Sequence, residues 1–98
     1  WCKSVTIFMS DNNNGLANSI VKGVTKIIEE FGKVIVLEDD IVTSRGFLTY
    51  MNDALEMYKD NSEVMHVSGY MYPVSTNSRD IIFLRLLSCW GWATWDRA

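Results

Sequence analysis

The most informative stretch of the sequence is residues 34–40, which read Val34-Ile35-Val36-Leu37-Glu38-Asp39-Asp40. Four consecutive apolar residues favour a strand that is buried on both faces, as in a parallel sheet covered by helices. Three carboxylates follow at once, and in open α/β sheets ligands bind outside the carboxyl ends of the strands. The stretch therefore predicts a buried strand that delivers acidic side chains to a ligand site.

The three acidic residues after this strand allow two interpretations. Adjacent carboxylates repel each other unless solvent, hydrogen-bond donors or a cation compensate their charge. Mg²⁺ and Mn²⁺ prefer oxygen ligands, and a substrate diphosphate can complete their coordination shell. A solvated acidic turn that leads into the next helix explains the same residues equally well. Position alone leaves both interpretations open for Glu38, Asp39 and Asp40.

Two helices are predicted from apolar residues that recur at three- and four-residue spacing. The first covers residues 16–31, with Asn13 or Asn14 as its cap and Gly32 as its C-terminal stop. The second covers residues 44–59, with Ser44 as its cap.

Short apolar runs predict further strands over residues 5–9, 64–68 and 81–84, and a loop over residues 69–80. Strands and helices thus alternate along the chain. This order predicts an α/β fold with a mostly parallel sheet flanked by helices.

Composition and charge exclude several classes of function. The 98 residues are 48% hydrophobic, which suits one globular domain or part of one and argues against disorder. Twelve acidic residues against nine basic ones, with no basic stripe, argue against a nucleic-acid partner. No apolar run approaches the roughly 20 residues of a membrane-spanning helix. Cys2 and Cys89 match neither a metal knuckle nor a disulfide framework, which is typical of reduced thiols in a cytosolic chain.

Two other features suit a ligand. Asn14-Gly15 opens the first helix, and a helix N-terminus attracts phosphate, although the same pair is ordinary turn chemistry. The second feature is a cluster of three tryptophans in six residues: Trp90, Trp92 and Trp95. Indole faces stack well on sugar rings, but tryptophan also packs readily in a hydrophobic core. The two interpretations of the tryptophan cluster are compatible.

Together these motifs resemble nucleotide-sugar glycosyltransferases of the GT-A type, which have a Rossmann-like fold. The likeness is greatest to bacterial sugar transferases related to the N-acetylglucosaminyltransferase I family, and it covers nearly the whole chain. Besides residues 34–40, the matching motifs are Asn14-Gly15-Leu16-Ala17 with Ser19-Ile20, Gly46-Phe47 with Tyr50, Val67-Ser68-Gly69-Tyr70, and Trp90-Gly91-Trp92.

The resemblance implies transfer of a sugar from a nucleotide-diphosphate donor, UDP-linked, to a hydroxyl of a saccharide or lipid-linked acceptor. Asp40 would ligate Mn²⁺ or Mg²⁺ at the donor diphosphate. The other expected donor-binding residues are Glu38, Asp39 and Asn14. The expected sugar and acceptor pocket is formed by Trp90, Gly91 and Trp92. The resemblance also implies a cytoplasmic protein, in some cases at the inner face of the membrane.

The same resemblance leads us to expect that residues 1–98 are a fragment of a single catalytic domain, truncated at both ends. The family's nucleotide-base element would precede residue 5, and its catalytic carboxylate would follow Ala98. Asp96 is the one acid after the tryptophan turn, and it is either the base or a solvated acid in a helix that begins near Ala93; the identity of the base stays unknown. A fragment of this kind would expose a sheet edge and would tend to self-associate.

Two other functions account for part of the sequence. A nucleotide hydrolase with a Walker-B-like strand would require a GxxxxGK[ST] loop, which does not occur in these 98 residues. A non-catalytic carbohydrate-binding or interaction module would use the tryptophans as a platform and the acids as a solvated turn. Such a module would bind sugar without divalent metal or nucleotide.

Overall fold

The computed structural model describes residues 2–75 and 81–98. Its first helix, α1, spans Leu16–Phe31, as predicted. Gly32 ends it in the left-handed conformation (φ 73°), and its N–H donates to the carbonyl of Ile28. The predicted asparagine cap is wrong, because Gly15 is the N-cap and no side chain caps the helix. Asn13 instead accepts a 2.8 Å hydrogen bond from the Gly15 N–H in the preceding turn.

Strand β1 (Lys33–Val36) follows α1 directly, one residue earlier than predicted. Helix α2 spans Phe47–Met57, so it is shorter than predicted at both ends. Ser44 does not cap α2 with its side chain; only its carbonyl takes part, accepting a hydrogen bond from the Phe47 N–H.

The remaining strands are β2 (Val67–Ser68) and β3 (Trp92–Trp95), and the sheet order is β1-β3-β2. Both neighbours of β3 are antiparallel to it, and Ala93 faces Ile35 on one side and Val67 on the other. The α/β class is confirmed, but the prediction of a mostly parallel sheet is wrong. The two strands that run in the same direction, β1 and β2, do not pair because β3 lies between them.

The central strand β3 replaces the helix expected near Ala93. Ala93 and Trp95 are buried on the core face, whereas Trp92 and Thr94 are half-buried on the other face. This alternation has the period of two that defines a strand. The small Ala93 side chain, which is fully buried, allows α2 to approach the centre of the sheet closely.

The strands predicted over residues 5–9 and 81–84 are wrong, because both segments lie outside the sheet and expose their apolar side chains. A strand needs a neighbour for its backbone N–H and C=O groups. Pairing with β3 satisfies the inner edges of β1 and β2, and neither apolar run joins their outer edges. The predicted strand over residues 64–68 is confirmed only at its last two residues. Residues 76–80 of the predicted loop lie outside the described residues.

The core lies between α2 and one face of the sheet, and its buried members are Phe47, Met51, Ala54, Leu55, Val67, Ala93 and Trp95. Helix α1 contributes no buried residue and leaves much of its apolar stripe exposed. Within residues 2–75 and 81–98, neither helix has the length and apolar character needed to cross a membrane.

Candidate functional site

The antiparallel sheet brings three separate parts of the chain to one end. Strands β1 and β2 both run opposite to β3, so their carboxyl ends lie where β3 begins. Val36 and Ser68 are the last residues of β1 and β2, and both face Trp92, the first residue of β3. The acidic stretch after β1, the Gly69-Tyr70 turn after β2 and the Trp90 turn before β3 therefore meet at this end of the sheet.

A cleft of about 470 Å³ lies at this end of the sheet. Its lining residues are Glu38, Asp40, Ile41, Val42, Thr43, Ser44, Phe47, Gly69, Tyr70 and Trp90. The volume falls within the range of small-molecule sites, and the lining combines apolar and aromatic surface with a few polar groups. Two of the predicted donor-site acids and one of the predicted pocket tryptophans thus share one cavity.

Phe47 forms the floor of the cleft and contacts two turns, one at Gly69 and one at Gly91. Its ring packs so closely on the backbone that a methyl group built on Gly69 would lie 2.3 Å from its Cε2 atom. A methyl group on Gly91 would lie 3.0 Å from the same atom, and Gly91 also has a positive φ of 70°. The Gly69 N–H donates a 2.8 Å hydrogen bond to the Gly91 carbonyl. Glycine is therefore required on both turns by close approach to a single aromatic ring.

An aromatic cluster, consisting of Tyr70, Tyr72 and Trp90, borders the cleft. The Tyr70 ring packs edge-on against both others, with centroid distances of 4.7 Å to Trp90 and 5.1 Å to Tyr72. Tyr72 and Trp90 are 6.4 Å apart and are each 51% exposed. Large aromatic faces are thus fixed by mutual packing while remaining open to solvent. Such faces suit stacking on a ligand ring.

The carboxylates form the polar part of the cleft. Glu38 is half-buried and Asp40 is exposed, and the Ile41 N–H donates to the Glu38 carbonyl in the turn that carries them. Asp39 is exposed and does not line the cleft. No group of three carboxylate, imidazole or thiol side chains forms a complete metal site within residues 2–75 and 81–98. Mg²⁺, however, is commonly held by one or two carboxylates together with water and substrate phosphates. Glu38 and Asp40 fit that mode of binding, since both line one cavity that is open to solvent.

The other predicted site residues lie outside the cleft lining. Asn14 lies in the loop before α1, where its side-chain amide donates to Ser10 Oγ at 2.7 Å. Gly91 is buried beneath Phe47, and Trp92 stacks on His66 with centroids 5.5 Å apart. Asp96 follows the far end of β3, where its N–H donates to the Gly32 carbonyl, at the opposite end of the sheet from the cleft.

His66 precedes β2 and is half-buried. Burial lowers the pKa of His66 below its ordinary value, and a hydrogen bond with the Ser88 backbone partly opposes this shift. Its buried Nε2 atom has no hydrogen-bond partner among the described residues. His66 lines a second, larger cavity between α2, β2 and residues 81–87, and this cavity shares Gly69 and Tyr70 with the cleft.

Sequence reasoning did not assign a site role to Phe47, Tyr70 or Tyr72. Gly46-Phe47 and Gly69-Tyr70 lie in motifs that carry the family resemblance. This membership was the signal that could have indicated a site role for Phe47 and Tyr70. Tyr72 gives no such signal, because only the fold places it against Trp90.

Comparison of the chain with protein-family models, with curated proteins and with solved structures found no match. The cleft itself combines two carboxylates, which suit a divalent cation, with aromatic faces that suit a sugar ring.

Proposed function

We propose that the chain carries the metal-binding and sugar-binding part of the donor site of a metal-dependent GT-A glycosyltransferase. The reaction is transfer of a sugar from a nucleotide-diphosphate donor to an acceptor hydroxyl. One observation supports the proposal above all others: Glu38 and Asp40 line the same cleft as Tyr70 and Trp90. A nucleotide sugar needs both a cation-binding group for its diphosphate and a surface for its sugar ring.

Asp40 is the proposed ligand of Mn²⁺ or Mg²⁺, and Glu38 is the proposed donor contact beside it. When bound, the cation supplies positive charge that stabilises the leaving nucleoside diphosphate. Asp39 and Asn14, which do not line the cleft, stay predicted donor contacts.

The proposed sugar-binding surface is the exposed face of Trp90, with Phe47 beneath it. Gly91 and Trp92 do not line the cleft, although they were predicted beside the pocket. Their proposed role is to hold the turn that carries Trp90, through the contacts of Gly91 with Phe47 and of Trp92 with His66. The acceptor hydroxyl needs a carboxylate as general base. Asp96 is not proposed for this role, because it follows the opposite end of β3.

Isothermal calorimetry with UDP and Mn²⁺ tests this function. We expect the wild-type chain to bind UDP only with Mn²⁺, and Asp40→Asn to weaken binding at least about tenfold. Asp60→Asn is the matched control, because it removes the same charge just after the end of α2 remote from the cleft. Circular dichroism establishes that all three chains are folded. Metal-independent binding, unchanged binding by Asp40→Asn, or no binding by the folded wild type would contradict the proposal.

The half-exposed aromatic cluster favours a second candidate, a non-catalytic carbohydrate-binding module. This module would bind free saccharides in the presence of EDTA, and UDP would neither compete nor cooperate. The transferase instead predicts that saccharide binding depends on Mn²⁺ and is strengthened by UDP, since the bound donor forms part of the acceptor site.

A further inference from the structure

The aromatic cluster extends beyond the cleft. Tyr70 and Trp90 line the cavity, whereas Tyr72 does not line it and instead continues the aromatic surface outward. Half of the Tyr72 side chain is exposed. A single sugar ring in the cleft would therefore leave the Tyr72 face unused.

Local backbone structure holds both tyrosines in place. The Ser68 hydroxyl donates to the Tyr70 carbonyl at 3.1 Å, and the Tyr70 N–H donates back to Ser68 Oγ at 3.2 Å. The Tyr72 carbonyl accepts a 2.7 Å hydrogen bond from the Val74 N–H, across Pro73, whose ring restricts φ. These turns and the edge-on packing on Tyr70 fix the two tyrosine rings before any ligand arrives. Ordering of the tyrosine side chains therefore costs less free energy when a ligand binds.

We propose that Tyr72, together with the outer part of Trp90, forms a second saccharide subsite next to the cleft. The acceptor is then a glycoside of at least two sugar rings, with the reacting ring in the cleft and the next ring against Tyr72. This inference rests on the proposed function, because it assigns the cleft to the transfer reaction.

A saccharide fits this surface for two reasons. The C–H face of a pyranose packs on an aromatic ring, and its rim of hydroxyls requires hydrogen-bonding groups around that ring. The phenol groups of Tyr70 and Tyr72 offer a donor and acceptor each. The Glu38 and Asp40 carboxylates add acceptors within the adjoining cleft.

Calorimetric titration with matched sugars tests the second subsite in the presence of UDP and Mn²⁺. The probes are cellobiose and chitobiose, each compared with the methyl glycoside of its single sugar. We expect at least one disaccharide to bind the wild type more tightly than its methyl glycoside, by about threefold to tenfold. Tyr72→Ala removes this advantage, which is measured as the ratio of disaccharide to methyl glycoside affinity within the same variant. Tyr72→Phe keeps most of it, because the ring is retained.

Phe31→Ala is the control, since it also deletes an exposed aromatic ring but lies on α1, outside both cavities. Equal affinity for disaccharides and methyl glycosides, or an advantage that persists in Tyr72→Ala, would overturn the second subsite. An octyl glycoside of the same single sugar is a further probe. If replacing methyl by octyl raises the affinity more than adding a second sugar ring does, the second subsite is also overturned and the surface is assigned to an apolar aglycone.

The two proposals fail separately. Metal-dependent UDP binding without any Tyr72-dependent preference keeps the transferase and rejects the second subsite. A Tyr72-dependent preference that is the same without UDP and Mn²⁺ rejects the link to transfer and favours the carbohydrate-binding module.

Discussion

The indole nitrogen of Trp95 donates a 3.0 Å hydrogen bond to the backbone carbonyl of Leu55, and both residues are buried. The contact ties the central strand of the sheet to α2 across the core. Since β3 begins at the cleft and α2 begins at its Phe47 floor, this contact also helps to hold two sides of the site together.

Trp95→Phe should lower the free energy of unfolding by about 1–3 kcal/mol, because it removes the hydrogen bond and part of the buried ring. Urea unfolding followed by circular dichroism measures the change. Trp90→Phe is the control and should stay within about 0.5 kcal/mol, since its ring is half-exposed. Equal losses in the two variants would contradict the structural role of Trp95.

Arg97 donates hydrogen bonds to backbone carbonyls just after the C-terminal end of α2. Its Nε donates to the Lys59 carbonyl at 2.7 Å, and one terminal nitrogen donates to the carbonyls of Tyr58 and Val64. The guanidinium also lies 4.3 Å from the Trp95 ring centre.

We expect Arg97→Lys to cost about 1–3 kcal/mol of stability, because an ammonium group cannot reproduce this planar fork of donors. The loss should change little between low and high salt, since Arg97 forms no ion pair with any acidic residue in the described ranges 2–75 and 81–98. Thermal and urea unfolding of Arg97→Lys and of Arg85→Lys, an exposed control, measure it. A loss that disappears in high salt would instead indicate an ion pair.

Gly69→Ala should destabilise the chain and weaken UDP binding, because the new methyl group would lie 2.3 Å from Phe47. Gly23→Ala provides the matched control on α1, where nothing lies within 4 Å. That change should stabilise the chain by about 0.5–1 kcal/mol, since alanine is the better helix former. Unfolding measurements on both variants test the contrast. Adding Phe47→Leu to Gly69→Ala should recover part of the loss, and purely additive losses would argue against the contact.

His66 should make stability depend on pH. Burial holds its pKa below the ordinary 6.5, so between 6.5 and the lower folded value the unfolded chain binds a proton that the folded chain does not. Stability should therefore fall as pH falls through this window.

Urea unfolding at about pH 7.5 and about pH 5.5 tests this expectation. His66→Gln should reduce the difference between the two pH values, and the comparison is direct because the chain has only one histidine. An unchanged difference in His66→Gln would assign the pH dependence to other groups.

Local pattern was enough to predict α1, β1 and the position of α2, because each has its own apolar period and α1 has a clear stop at Gly32. The sheet topology was not predictable in this way. Residues 5–9 have as strong a strand pattern as β3, and whether a run pairs depends on which partner is available. The helix expected near Ala93 failed for a related reason, since Ala93 favours a helix by itself and a strand only between Ile35 and Val67.

For the site, the sequence indicated the acidic stretch and the tryptophan turn, and the fold brings Glu38, Asp40 and Trp90 to one cleft. The floor and the outer aromatic ring were not predicted. Both depend on distant contacts, of Phe47 with Gly69 and Gly91 and of Tyr72 with Trp90, which no local spacing encodes.

The place of β3 in the sheet also determines when the sheet can form during synthesis. Within the part of the chain that the structure describes, strands β1 and β2 pair only with β3, and Lys33 pairs with Trp95, far along the chain. A chain emerging from the ribosome can form α1 at once, yet among the described strands β1 and β2 have no partner until β3 has been synthesised. Sheet formation is thus a late, long-range step with a high entropic cost of loop closure. Until then the apolar β1 has two unpaired edges, and unpaired strand edges are prone to pair with other chains.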